Sequence, residues 1–201
     1  PWDLDLDFFR LWTDPRLCRH LHLPLQSGSE STLRRMARKT SPKEFSALVE
    51  AARAVVPDMA ITTDVIAGFP GETEAEFAQS LAFVEAMGFA GGHVFTFSPR
   101  PGTAAARLPG AVEKHVRKER NAALRAVFSQ AEQVYAERFI GQAMPVLWES
   151  AAAVGLWNWR LSGLTDNYIK VYSYANENLW NQISPVELNE RQLDGVTGRI
   201  L

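Results

Sequence analysis

Two histidines in one short segment are the first residues that could do chemistry. His20 and His22 stand two positions apart in a run typical of a buried strand, so they point to the same face. Such a pair could bind a metal ion, or it could be a hydrogen-bonded pair in the core. The absence of a third ligand nearby in the sequence favours the core role. Cys18 shares this face and is expected to be a buried packing residue.

Polar, glycine-containing loops follow three predicted strands. Their side chains suit recognition of a ribose, amide or carboxylate, and their glycines allow close backbone approach, although plain turns explain the glycines equally well. An aspartate inside the second strand needs a ligand or a basic partner. These loops predict a ligand site formed by polar, aromatic and glycine residues: Gln26, Ser27, Asp64, Gly68, Phe69, Gly71, Glu72, Ser98 and Arg100.

The elements that must position these loops alternate between strand and helix. Apolar periodicity predicts strands over residues 17–26, 59–67 and 93–97, and helices over residues 4–12, 33–55 with a restart at Pro42, 74–87 and 112–140. Successive strand–loop–helix units predict parallel strands whose loops share the carboxyl edge of one sheet. Three such units cannot close a barrel, and the chain begins at Pro1, so we expect a fragment of a longer protein.

The last 60 residues follow a different pattern. Short apolar runs at residues 144–148, 168–174 and 183–188 alternate with turn residues, which predicts a small all-β domain over residues 142–201 after an α/β part over residues 1–141. Tyr168 and Lys170 are of the types that contact single-stranded RNA. The excess of acidic residues in this segment argues against autonomous RNA binding.

Composition restricts the class of protein. The chain has 201 residues, a formal net charge of -2 and one cysteine, so it forms no internal disulfide and no cysteine-only cluster site. A reducing, cytoplasmic location is expected. No apolar run approaches the roughly 20 residues that span a bilayer, so we expect no membrane partner.

Three motifs in order resemble one enzyme family. The segments LCRHLHLPLQSGSESTLRRMARK, TDVIAGFPGETEAEF and HVFTFSPRPGTAAARLP are similar to the radical-SAM methylthiotransferases that modify tRNA. The tail resembles the TRAM domain of this family. Within the family, CRHLHLPLQSGS and GLTDNYIKV look most like the enzymes acting on N6-threonylcarbamoyladenosine at position 37, with the isopentenyladenosine enzymes as nearest rivals.

The resemblance implies a cofactor set and a substrate. The cofactors would be S-adenosylmethionine and two 4Fe-4S clusters, and the partner would be the anticodon loop of tRNA. The nine residues of the predicted ligand site would form the distal wall of the S-adenosylmethionine pocket, and Tyr168 and Lys170 would contact RNA. The cluster cysteines of the family are missing here, and Cys18 matches a non-ligand position, so the chain alone is expected to be inactive.

Two other classes of protein stay open at this point. One is a cluster-free module, a partial (β/α) barrel plus a β domain, that binds RNA or a nucleotide without catalysis. The other is a metal enzyme that uses His20 and His22. An open strand edge also favours association, so a dimer or a swapped assembly is a further expectation.

Overall fold

The computed structural model describes Leu4 and residues 6–155 and 158–201. These residues divide into two compact units. Of the described residues, the first comprises Leu4 and residues 6–10, 21–57 and 61–132, and the second comprises residues 11–20, 58–60, 133–155 and 158–201. Within the described ranges, none of the helices combines the length and the apolar character needed to cross a bilayer.

The first unit is built on a three-stranded sheet in the order β1-β2-β3. β2 and β3 are parallel, with Asp64 opposite His93, and Gln26 forms a parallel bridge to Val65. The strands are β1 (His20–His22), β2 (Ala60–Ala67) and β3 (Gly91–Thr96). The helices are α1 (Leu6–Phe9), α2 (Glu30–Arg35), α3 (Pro42–Val55), α4 (Glu74–Met87) and α5 (Lys114–Glu137), of which α5 runs on into the second unit. The predicted parallel α/β architecture is therefore confirmed.

The two faces of this sheet differ in character. Along β2, alternate residues from Ile61 to Ala67 are fully buried, whereas Thr62, Asp64 and Ile66 on the other face are half-buried. The core of this unit also contains an aromatic cluster in which the ring of Phe89 lies 6.1 Å from the rings of Phe45 and Phe128. The second face of β2 carries the polar side chains of Thr62 and Asp64.

Local capping signals fix the helix ends. Ser41 and Thr73 each form a capping box with the glutamate three residues later, and these boxes start α3 and α4. Gly88 ends α4 in the left-handed conformation, with φ of 54°. The predicted helix over residues 74–87 and its glycine cap are confirmed.

The first strand is shorter than predicted. The regular strand covers residues 20–22, and pairing with β2 is irregular beyond it. The Leu25 N–H donates to the Thr63 hydroxyl at 3.0 Å rather than to a backbone carbonyl, and Gln26, which bridges Val65, has φ of 70°. Pro24 has no N–H to donate.

The expectation that Cys18 is buried was wrong, since its side chain is exposed.

The second unit contains a closed five-stranded barrel. Its strand order is β4-β5-β6-β8-β7, with β6 and β8 parallel and the other pairs antiparallel. The strands are β4 (Ala143–Ala153), β5 (Trp159–Thr165), β6 (Lys170–Ala175), β7 (Ile183–Gln192) and β8 (Gly195–Ile200). The small all-β part is confirmed, although β5 and β8 were missed. The interior is formed by Met144, Val146, Trp148, Leu161, Val171, Val186, Leu188 and Val196.

Candidate functional site

The first loop leaves the sheet at Gln26 and is held by backbone contacts. The Gln26 N–H donates to the Asp64 carbonyl and its own carbonyl accepts from Ile66, both at 2.8 Å. Ser27 is fully buried, and its hydroxyl accepts from the Ser29 N–H at 3.2 Å. A Cβ at Gly28 would lie 2.7 Å from Phe83 Cβ, so only glycine fits there. The Gln26 side chain is half-buried at the strand end.

The second loop is organised around a buried ion pair. Glu72 Oε2 accepts from the Gly68 N–H at 2.9 Å and from Arg120 Nη1 at 2.8 Å, and both charged side chains are less than 10% exposed. Burial raises the pKa of Glu72, while Arg120 and the Gly68 N–H hold it down. Phe69 is buried edge-to-face on Phe97, with ring centroids 5.2 Å apart. Glu72 and Phe69 therefore shape the loop from inside.

Two further arginines, Arg35 and Arg117, hold the same loop. Arg35 donates two hydrogen bonds of 2.8 and 2.7 Å to Glu76, and this contact lowers the pKa of Glu76 to about 2. Its Nε lies 3.3 Å from where a Cβ at Gly71 would be. Arg117 packs against Gly68, which has φ of 74°, and donates to the Phe97 carbonyl at 2.6 Å. Local sequence patterns do not identify the partners of these arginines, because the partners come from other elements.

The third loop lies beside the second. The Phe97 N–H donates to the Ala67 carbonyl at 2.9 Å, and the Gly71 N–H donates to the Gly110 carbonyl at 2.7 Å. Ser98 and Arg100 are exposed at this edge. The parallel strand order thus places all three loops at the carboxyl edge, as the sequence predicts. Of the nine predicted residues, Gln26, Ser98 and Arg100 offer accessible polar side chains there.

Asp64 lies on β2, three residues before the strand ends, between the imidazoles of His22 and His93. Its carboxylate oxygens are 3.3 Å from His22 Nε2 and 3.4 Å from His93 Nδ1. His22 Nδ1 is 3.0 Å from the Thr62 hydroxyl. The partner that Asp64 was predicted to need is therefore a pair of histidines, one of which, His93, sequence reasoning did not select.

In the second unit, the turn between β5 and β6 carries the predicted RNA contacts. Tyr168 has φ of 62° and is 52% exposed, and its ring stacks on His20 at 4.0 Å. Asn167 is buried and donates to the Tyr135 hydroxyl at 3.1 Å, while Arg19 bonds both oxygens of Asp166. The turn is therefore rigidly held with one aromatic ring presented outward.

Lys170 forms an ion pair with a carboxylate at the end of a neighbouring strand. Its Nζ donates to Asp194 at 2.9 Å, and the Tyr172 hydroxyl donates to the same oxygen at 2.9 Å. Hydrogen bonding to Tyr172 and Asp194 raises the pKa of Lys170 to about 12. Lys170 therefore carries its charge inside an ion pair, so Tyr168 is the more accessible of the two predicted RNA contacts.

The metal hypothesis finds no ligand set. In the described part of the chain, no three His, Cys, Asp or Glu side chains are grouped so that they could hold a metal ion. His20 stacks on Tyr168, whereas His22 contacts Thr62 and Asp64. With one cysteine in the sequence, these 201 residues also cannot supply a cysteine-ligated 4Fe-4S cluster.

Comparison with known proteins points to one enzyme class. The Radical SAM superfamily model matches residues 3–84. A threonylcarbamoyladenosine tRNA methylthiotransferase, MtaB, of Thermotoga maritima is 43% identical over 157 residues, which are 78% of this chain and 35% of that protein. A tRNA-2-methylthio-N(6)-dimethylallyladenosine synthase of Parafrankia sp. is 51% identical over 123 residues, 61% of this chain and 24% of that protein.

A solved structure shares the fold. Coproporphyrinogen III oxidase (HemN) from Escherichia coli, described as a radical SAM enzyme, aligns with a TM-score of 0.55 at 14% identity. The alignment covers 99% of this chain and 49% of that chain. At this identity the likeness concerns the fold alone.

Proposed function

We propose that the chain belongs to the radical-SAM tRNA methylthiotransferase family. Within this family it would form the C-terminal part of an enzyme that methylthiolates N6-threonylcarbamoyladenosine at position 37 of tRNA. The observation that carries the proposal is the 43% identity to a threonylcarbamoyladenosine enzyme over 78% of the chain. The chain spans less than half the length of the curated relatives it matches. Sequence outside these 201 residues would therefore supply the cluster cysteines.

Within this proposal, the carboxyl edge of the first unit binds S-adenosylmethionine. Gln26, Ser98 and Arg100 present polar groups there, and they would contact the ribose, amine or carboxylate of the cofactor. Ser27, Gly68, Phe69, Gly71 and Glu72 would hold the loops in shape. When bound, the cofactor and its clusters would supply the radical chemistry, and the residues at this edge would position the cofactor.

Residues 142–201 would form a TRAM-like domain that binds the anticodon arm of tRNA, after a barrel part over residues 1–141. The closed five-stranded barrel and the outward ring of Tyr168 support this role. The proposed dimer and the cytoplasmic location stay predictions. A second candidate substrate is isopentenyladenosine, because the synthase of Parafrankia sp., 51% identical over 123 residues, is named for its dimethylallyl form.

The proposal predicts a specific product from the full-length protein. The full-length protein is reconstituted anaerobically with iron and sulfide and is then given S-adenosylmethionine and dithionite as the one-electron reductant. We expect 5'-deoxyadenosine and a methylthiolated nucleoside from an anticodon stem-loop that carries threonylcarbamoyladenosine, both read by mass spectrometry. The 201-residue chain alone serves as control and should give neither, because it has one cysteine. A product from the isopentenyladenosine stem-loop only would support the second candidate. RNA binding without cofactor cleavage would support a non-catalytic module.

Tyr168 gives a second prediction in the same protein. The change Tyr168→Ala should weaken binding of the tRNA anticodon stem-loop by about 1–3 kcal/mol, the usual loss when a base loses an aromatic stacking partner. The matched control is Tyr174→Ala, since Tyr174 is 67% exposed in the same unit. Binding measured by fluorescence anisotropy should be unchanged in the control. Equal losses in both variants would contradict a specific contact by Tyr168.

A further inference from the structure

His93 stands apart from the other polar groups on its face of the sheet. Its side chain is 73% exposed, and its Nδ1 faces the Asp64 carboxylate at 3.4 Å. Within the described part of the chain, its other ring nitrogen, Nε2, forms no hydrogen bond. The Glu132 carboxylate also faces this ring: burial raises the pKa of Glu132, and His93 opposes that rise. An imidazole that faces a carboxylate with one nitrogen can offer the other to a ligand, as donor or acceptor. His93 is therefore built like a recognition group rather than a core histidine.

Two further side chains, His22 and Thr62, support the contact between His93 and Asp64. His22 contacts the second oxygen of Asp64 at 3.3 Å, and its own Nδ1 is occupied by Thr62 at 3.0 Å. Both nitrogens of His22 are thus engaged, so it orients Asp64 and cannot readily turn to a ligand. The Asp64 side chain is 24% exposed, which leaves His93 as the outermost member of the cluster.

An exposed aromatic ring lies next to this imidazole. Phe95 follows His93 by two residues on the same face of β3, its ring lies 6.4 Å from that of His93, and it is 53% exposed. A flat apolar ring beside a fixed polar group suits a nucleobase that carries a polar substituent. The cluster lies beside the carboxyl-edge loops proposed for the cofactor, because the Gln26 N–H donates to the Asp64 carbonyl at 2.8 Å.

The relatives are named for two substrates that differ in the substituent on the adenine base. One carries a threonylcarbamoyl group with hydroxyl, ureido and carboxylate atoms, and the other carries a purely hydrocarbon dimethylallyl group. A site built to hydrogen-bond a substituent rejects an analogue without such atoms, because its own polar group is then left unpaired. We infer that His93 Nε2 hydrogen-bonds the threonylcarbamoyl substituent while adenine packs on Phe95. Asp64 and His22 would act as positioning residues. This inference rests on the proposed function.

The test measures selectivity in the full-length protein. Equilibrium binding is compared for two anticodon stem-loops, one with threonylcarbamoyladenosine and one with dimethylallyladenosine. The change His93→Leu should weaken binding of the first by about tenfold, as loss of one such hydrogen bond does, and leave the second within about twofold. His93→Gln, which keeps a polar group, should restore part of the selectivity. Asp64→Asn should lower the selectivity ratio in the wild-type background and have no further effect beside His93→Leu.

The matched control is His115→Leu. His115 is another exposed histidine beside a carboxylate, 3.2 Å from Glu113, and its loss should leave both affinities unchanged. Equal weakening of both stem-loops by His93→Leu, or no change in either, would overturn the inference. Failure of the wild-type protein to methylthiolate either stem-loop would instead contradict the proposed function. A wild type that methylthiolates the threonylcarbamoyl stem-loop while His93→Leu binds it normally would refute the role of His93 alone.

Discussion

Replacement of Arg120 with methionine should lower the free energy of unfolding of this chain by about 3–5 kcal/mol, because it leaves the buried Glu72 carboxylate without its cation. The side chain of Glu72 is 2% exposed and that of Arg120 is 7% exposed, so water cannot replace the lost partner. Urea denaturation followed by far-ultraviolet circular dichroism measures the loss. Lys118→Met is the matched control on the same helix, and its exposed position should limit the change to about 0.5 kcal/mol.

The same substitution should make stability depend more strongly on pH. Burial already raises the folded-state pKa of Glu72 above its ordinary value of 4.5, and Arg120 partly opposes that rise. Without Arg120 the folded-state pKa rises further, so the folded protein binds a proton more tightly than the unfolded chain. The deficit of Arg120→Met is therefore greatest near neutral pH and shrinks as the pH falls toward 4.5.

A double variant separates charge from packing. Glu72→Gln combined with Arg120→Met buries no charge, so it should be more stable than Arg120→Met alone at neutral pH. The Arg120 guanidinium also lies 5.1 Å from the centre of the Phe77 ring, and loss of that contact would be the same at every pH. A pH-independent deficit of the same size would therefore assign the effect to packing and contradict the role of the charge.

Elements with local signals were predictable, and elements defined by distant partners were not. α4 matched its prediction because Thr73, Glu76 and Gly88 encode both of its ends within the helix itself. The barrel strands β5 and β8 were missed because their identity depends on pairing, such as the parallel contact between Val171 and Val196. In β5, Gly163 interrupts the apolar pattern, yet a Cβ there would lie 2.2 Å from the Leu147 carbonyl oxygen. A residue that looks like a turn signal thus serves close strand approach.

The candidate site shows the same division. The sequence places the three loops correctly, because strand–loop–helix alternation determines which edge they share. It does not reveal that Glu72 is occupied by Arg120, 48 positions further along the chain. It also does not reveal that the strand register sets His93 opposite Asp64. Whether a polar residue faces a ligand or a structural partner therefore depends on contacts that local patterns do not encode.

In the second unit, Trp148→Ala should lower the free energy of unfolding by about 3–5 kcal/mol, the usual loss for a fully buried aromatic side chain. Trp148 is 0% exposed at the centre of the barrel, and its Nε1 donates to the Ser184 hydroxyl at 3.1 Å. Trp148→Phe keeps most of the ring volume and should lose about 1–3 kcal/mol, mainly through the unpaired hydroxyl. Trp180→Ala is the control, since Trp180 is 63% exposed, and it should change stability by less than about 0.5 kcal/mol.

The Trp148 variant also tests whether the β part unfolds on its own. If residues 142–201 form a separate domain, Trp148→Ala should shift the near-ultraviolet transition of the barrel to lower urea and leave the far-ultraviolet helix transition in place. Arg120→Met should do the reverse, because Arg120 lies in the first unit. A single transition that moves equally in both variants would mean that the two units unfold together. The domain boundary at residue 141 would then have no thermodynamic meaning.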